Sequence, residues 1–130
     1  MTEKDALMRI GELSARAGVS VRSLRYYEQQ GLLTSTRTTG AHRLYPEAAV
    51  DRVYLLRRLY EAGLSSETIA TLLPCVDAPA EDVTEETLTV MQRERERIDA
   101  QISAMLTTRS HLDALIEAAS GHLRRQRATA

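Results

Sequence analysis

The sequence predicts a mostly α-helical protein. It should comprise a winged helix-turn-helix domain with a small β-hairpin wing, followed by a long antiparallel coiled-coil dimerisation helix. Three observations carry this. Two amphipathic stretches, MRIGELSARA and VRSLRYYEQQ, are joined by Gly18-Val19-Ser20, and two short helices linked by a tight Gly-containing turn make a helix-turn-helix. Residues 32–45 change to short apolar runs around Thr38-Thr39-Gly40-Ala41, the texture of a hairpin. From Leu88 to Ala119 apolar residues return with a heptad period.

Taken in order, Met8 to Ala17 is expected as the first helix, with Ile10, Leu13 and Ala17 on one face and Gly18 ending it. The second helix occupies about residues 20–30. Ser20 can accept from an orphan first-turn amide, and Gly31 supplies the left-handed residue that closes a helix. Val21, Leu24 and Tyr27 or Glu28 face a core, which turns Arg22, Arg25 and Tyr26 outward. Guanidinium forks and a phenol on one exposed face suit phosphate oxygens and base edges; the plainer reading is a solvated basic face. Arg16, late in the first helix, suits a phosphate contact.

The wing is expected over about 32–45, with Leu32-Leu33 and Arg43-Leu44-Tyr45 as its strands and Arg37, His42, Arg43 and Tyr45 as donors to a flanking backbone. Pro46 is expected to open a third helix, about 47–62, ending at Gly63. Arg57 and Arg58 lie late in it, where they suit the helix dipole as well as a DNA contact. Ser65 caps a fourth helix, about 66–73, with Pro74 beyond its end. These pieces define a domain over 1–74, and residues 75–83 read as a polar hinge.

The dimerisation helix is expected over 84–123, with 124–130 as a frayed basic tail. Leu88, Met91, Ile98, Ile102, Met105, Leu112, Ile116 and Ala119 fill eight of ten a and d sites, and Arg95 and Arg109 take the other two. A stripe about 60 Å long at ~1.5 Å per residue is more than so small a domain can cover, so it seeks a second copy. Parallel pairing would set each seam arginine against its twin, whereas antiparallel pairing gives it a different neighbour.

Composition agrees with a folded chain, with 43% hydrophobic and 27% charged residues. The net charge of −1 hides a split. Residues 1–63 hold ten Lys or Arg against seven Asp or Glu, and residues 64–130 hold seven against eleven. A basic first half and an acidic second half is the pattern of a chain whose first half meets a polyanion. No apolar run is long enough to span a bilayer and no signal peptide opens the chain, so the expected location is the cytoplasm, at the nucleoid.

These residues together resemble the MerR family of bacterial transcriptional regulators. The matching segments are IGELSARAGVSVRSLRYYEQQGLL, RTTGAHRLYPEAAVDRVYLLRRLYEAGLSSETIATLL and the long helix, nearly the whole chain. The resemblance implies a homodimer on double-stranded promoter DNA with a pseudo-two-fold operator. It implies RNA polymerase as functional partner and a switch that distorts the promoter spacer. Position by position it implies that Arg22 reads a base, that Arg25 and Tyr26 touch backbone or base edges, and that Arg37, Arg43 and Tyr45 hold flanking phosphates. His42 stands where the family often has Tyr, Tyr60 where an Arg is common, so that a phosphate contact from Tyr60 would use its hydroxyl, and Pro46 where a capping Ser is usual. Ser20 and Val21 open the same helix and share its DNA-facing end.

Metal-sensing members resemble one another in using cysteines near the dimer helix and in a loop after it. Here Cys75 is the single cysteine, and His111 and His122 are isolated, so no metal site or other cofactor is expected. Cys75 reads as a small buried hydrophobe, with a thiol sensor of oxidants or electrophiles as the alternative. Any small-molecule effector pocket is expected between the dimer helix and the DNA-binding domain. An effector-independent DNA-bending architectural or recombination-accessory protein is the alternative function, and an interaction module whose coiled coil recruits another protein is a third. No catalytic constellation appears in the sequence, so an enzyme is not expected.

Overall fold

Among the described residues the first element is a strand, not a helix. In the computed structural model, which describes residues 7–37, 42–77 and 83–129, β1 spans Leu7–Arg9 and turns Met8 inward. It pairs antiparallel with β3, Arg43–Pro46, in the register Met8 to Tyr45 and Arg9 to Leu44. β2, Thr36–Arg37, pairs with the other side of β3, setting Thr36 against Leu44 and Arg37 against Arg43. The sheet order is therefore β1-β3-β2. The expected turn at residues 38–41 lies outside the described residues.

Helix α1 is correspondingly shorter than expected, Ile10–Ala17, and buries Leu13 and Ala17. Gly18 follows at φ 74°, a left-handed conformation that glycine adopts without penalty. Helix α2, Val21–Gln29, starts as expected at Ser20, whose hydroxyl accepts from the Ser23 amide at 3.0 Å. Gly31 at φ 76° ends it, with the Gly31 amide donating to the Glu28 carbonyl and that of Leu32 to Tyr27. This closure overturns the strand expected at Leu32-Leu33. The reversing chain drives both side chains into the core instead, at 2% and 4% exposure.

Pro46 ends β3 rather than opening a helix. Helix α3 runs Ala48–Glu61, with the Val50 amide bonded to the Glu47 carbonyl and Ala49, Val53 and Leu56 buried. Helix α4, Ser66–Asp77, is capped by Ser65 and buries Ile69 and Leu73. It was expected to stop before Pro74, but Pro74 lies inside it. The proline removes one helical hydrogen bond, and the ion pair between Arg52 and Asp77 ties the last turn back to α3. Of the expected hinge, residues 75–77 are helical, 78–82 lie outside the described residues, and the chain is described again from Val83.

The core of this first unit, Met1–Val90, is aliphatic apart from Tyr27 and Tyr45, and holds no buried charged residue among those described. Its fully covered side chains, Leu13, Leu24, Leu32, Tyr45, Val53, Leu56 and Ile69, each contribute roughly 1.5–3 kcal/mol of burial. Helix α5 spans Glu85–Thr129, capped by Thr84. From Met91 onward it constitutes the second unit, and none of its side chains is buried. It continues past Leu123 through Arg124, Arg125 and Arg127, so the basic tail is helical; basic residues suit the negative end of the helix dipole.

Candidate nucleic-acid interface

The helix-turn-helix turn is braced from two sides. Ser14 Oγ donates to the Val19 carbonyl at 2.6 Å, and Arg57 Nη1 donates to the Gly18 carbonyl at 3.2 Å while its Nε pairs with Glu61. Arg57 is thus a structural strut. Arg58 lies over the Tyr54 ring at 5.0 Å and donates to its hydroxyl at 2.9 Å. The turn fixes the roll of α2: Leu24 and Tyr27 point inward, Val21 is half-buried, and Arg22, Arg25 and Tyr26 are exposed on the opposite face. Tyr27 stacks on Tyr60 with ring centroids 5.4 Å apart and planes 7° from parallel. Tyr60 is therefore half-buried, and its hydroxyl meets Ser66 Oγ, which also lies 3.2 Å from the Tyr26 hydroxyl.

Between α2 and the sheet lies a cleft of about 460 Å³ lined by Arg9, Ile10, Arg25, Arg37, His42 and Arg43. Four guanidiniums and an imidazole on one concavity create a strongly positive field, focused by the low-dielectric protein behind it. Such a surface suits phosphate oxygens, because guanidinium binds them through two parallel donors. The sequence reading named four of these five residues. It missed Arg9, which reaches the cleft only because β1 pairs with β3. The alternation of Leu7, Met8 and Arg9 is its faint sequence signal.

Glu28 joins α2 to the sheet. Its carboxylate accepts from Ser35 Oγ at 2.7 Å and from the Tyr45 hydroxyl at 2.8 Å, and pairs with Arg43 at 3.4 Å. Sequence reasoning placed Glu28 only as one option for the core face of α2. The same geometry overturns the phosphate contact expected of Tyr45. Its side chain has no solvent exposure, and its hydroxyl is committed to Glu28. Burial first, then the bond to Glu28, push its pKa up to about 12.

Arg16 is also engaged. It donates to Glu47 Oε1 at 2.9 Å and lies 4.0 Å from Glu12, so a phosphate contact there would compete with Glu47. The bond to Glu47 raises the Arg16 pKa and holds the Glu47 carboxyl below its usual range. Cys75 is half-buried within α4. Among the described residues no three His, Cys, Asp or Glu side chains converge as a metal site would require, and no helix is long and apolar enough to cross a membrane.

A braced helix-turn-helix, a wing and a cationic cleft between them define a winged helix-turn-helix protein of the nucleic-acid-binding class. Residues 8–74 match the MerR HTH family regulatory protein profile, and residues 50–115 match the MerR, DNA binding profile. The chain is similar to the HTH-type transcriptional regulator ZntR of Escherichia coli K12, at 31% identity over 88% of this chain and 82% of that protein. It is also similar to the nodulation protein NolA of Bradyrhizobium elkanii, at 37% identity over 80% of this chain but only 44% of NolA, so it spans less than half of that relative. A crystal structure of a MerR family protein from Listeria monocytogenes superposes with TM-score 0.76 and 25% identity, covering 92% of this chain and 91% of that one. The chain belongs to the MerR family of DNA-binding transcription regulators.

Proposed function

We propose that the protein acts as a homodimer on promoter DNA in the cytoplasm, setting two α2 helices into successive major grooves while the wings hold the flanking phosphates. The observation that carries this reading is the exposed α2 face of Arg22, Arg25 and Tyr26, from which Arg25 also lines the cleft with Arg9, Arg37, His42 and Arg43. Arg22 reads a base edge, and the cleft residues supply sequence-independent affinity. Distortion of the promoter spacer by the bound dimer then alters access of RNA polymerase.

Support for the dimer comes from α5, which leaves Leu88, Met91, Ile102, Met105, Leu112 and Ile116 exposed along one seam, with Ile98 half-covered and Ala119 small. An antiparallel pair centred between Ile102 and Met105 sets each a residue against a d residue, so Arg95 meets Leu112 and Arg109 meets Ile98. Neither arginine then faces its twin.

The test is fluorescence anisotropy with the DNA upstream of the protein's own gene and a scrambled duplex, at two salt concentrations. Wild type should prefer the upstream duplex. Arg22→Ala should lose about 1–3 kcal/mol of that preference yet keep salt-sensitive binding to both. Equal binding of both duplexes by wild type, or an unchanged preference in Arg22→Ala, would refute the assignment.

A further inference from the structure

A second concavity, of about 440 Å³, lies on the first unit between the segment joining α2 to β2, the start of α3 and the end of α4. None of the DNA-facing residues lines it. Its size is that of a small-molecule site, roughly 300–1,000 Å³. The walls include Leu32, Leu33, Ala49 and Leu73, and its polar edge is the pair Arg52 and Asp77. An effector pocket was expected between the DNA-binding domain and the long helix, whereas this groove lies wholly within the first unit.

The two charged residues are not equivalent. Arg52 is anchored mid-helix in α3, its side chain is 23% exposed, and it donates to the Leu32 carbonyl at 3.4 Å as well as to Asp77. Asp77 is the last residue of α4, and its side chain is 56% exposed. The guanidinium is thus the fixed partner and the carboxylate the exchangeable one. A half-covered cation on an apolar wall is best matched by a carboxylate, so an anion is the favoured replacement for Asp77.

We propose that this groove binds a small apolar molecule carrying one carboxylate, which replaces Asp77 on Arg52 while its apolar body covers Leu33, Ala49 and Leu73. The exchange trades one guanidinium–carboxylate pair for another and adds apolar burial. Leu32 and Leu33 belong to the segment that sets the distance between α2 and the wing, so an occupant touches the part that aligns the two DNA contacts. That signalling role rests on the regulator reading above, whereas the binding itself does not.

The experiment is an amide NMR titration of the whole protein, without DNA, using 1-naphthoate and its neutral and cationic analogues 1-naphthalenemethanol and 1-naphthylmethylamine. Naphthoate should shift amides in residues 31–34, 48–52 and 73–77, and bind about tenfold more tightly than the alcohol, as one charge-assisted bond allows. Arg52→Gln should erase that preference. Asp77→Asn, which removes the internal competitor, should tighten naphthoate binding several-fold. A site that only collects apolar surface would leave both variants unchanged. That result, equal binding of the three probes, absence of naphthoate binding, or shifts confined to residues 98–123 would overturn the proposal. Because no DNA is present, failure here is distinct from failure of the promoter-binding test.

Discussion

Replacing Glu28 by Ala should destabilise the DNA-binding unit in a way that a second substitution partly repairs. The change strands the hydroxyl of Tyr45, a side chain with no solvent exposure, at a cost of about 1–3 kcal/mol. It also removes the acceptor of half-buried Ser35, worth about 1 kcal/mol, and the partner of 41%-exposed Arg43, worth about 0–1 kcal/mol. Glu28→Ala should therefore cost about 2–5 kcal/mol. Tyr45→Phe alone leaves Glu28 with Ser35 and Arg43 and should cost about 1 kcal/mol. Once Glu28 is Ala, however, Tyr45→Phe removes a stranded donor, so the double variant should be more stable than Glu28→Ala by about 1 kcal/mol or more. Urea unfolding followed by tyrosine fluorescence reads this directly, since the chain has no Trp and its five Tyr lie between residues 26 and 60. The signal therefore belongs to the first unit alone, and protein concentration is held constant because association shifts apparent stability. Additive costs, with the double variant less stable than Glu28→Ala, would refute the buried hydrogen bond.

The raised pKa of Tyr45 has its own signature. Because the folded value of about 12 exceeds the ordinary value of 10, the stabilisation is complete below pH 10 and is lost as pH rises through 12. Tyr45→Phe should remove roughly 2–3 kcal/mol of alkaline sensitivity, and an unchanged alkaline unfolding limb would count against the burial. Ser20→Ala, which deletes the α2 cap, should cost about 1 kcal/mol in the same urea assay, and a loss near zero would contradict the cap geometry. Gly31→Ala meets no atom within 4 Å of the added carbon, so its expected cost of about 1–2 kcal/mol is backbone strain alone; a neutral result would deny the left-handed turn. Met105→Glu, at the centre of the α5 seam, should convert dimer to monomer in sedimentation equilibrium, and an intact dimer would move the interface elsewhere.

The helices were legible because their signals are local. Gly18, Ser20 and Gly31 mark ends within a few residues of the bonds they make, and the 3–4 spacing of Leu24 and Tyr27 fixed the exposed face of α2. Most of what escaped was decided by contacts across the chain. MRIGEL reads as helix by spacing, yet β3, more than thirty residues on, recruits Leu7–Arg9 as a strand. Leu32-Leu33 looks like a strand by residue type, but the turn at Gly31 sends both residues into the core. Tyr45 has a hydroxyl that suits a phosphate, and only its inward place beside Met8 assigns that group to Glu28. Pro74 signals a helix end, but the tie from Arg52 to Asp77 carries α4 one turn further. The misses at Leu7–Arg9, Tyr45 and Pro74 concern residues whose partners lie on another element, whereas that at Leu32-Leu33 follows from the turn beside it.

The pairing of β1 with β3 also limits how the protein can be shortened. Met8 is an internal methionine whose side chain is 3% exposed and whose backbone faces Tyr45. A chain initiated there would place a charged α-ammonium in the middle of a three-residue strand. Removal through Arg9 would go further, stripping one side of β3 and baring a row of unpaired amides and carbonyls. An open strand edge of that kind recruits other chains, so over-trimmed expression fragments of this domain should aggregate rather than merely lose affinity.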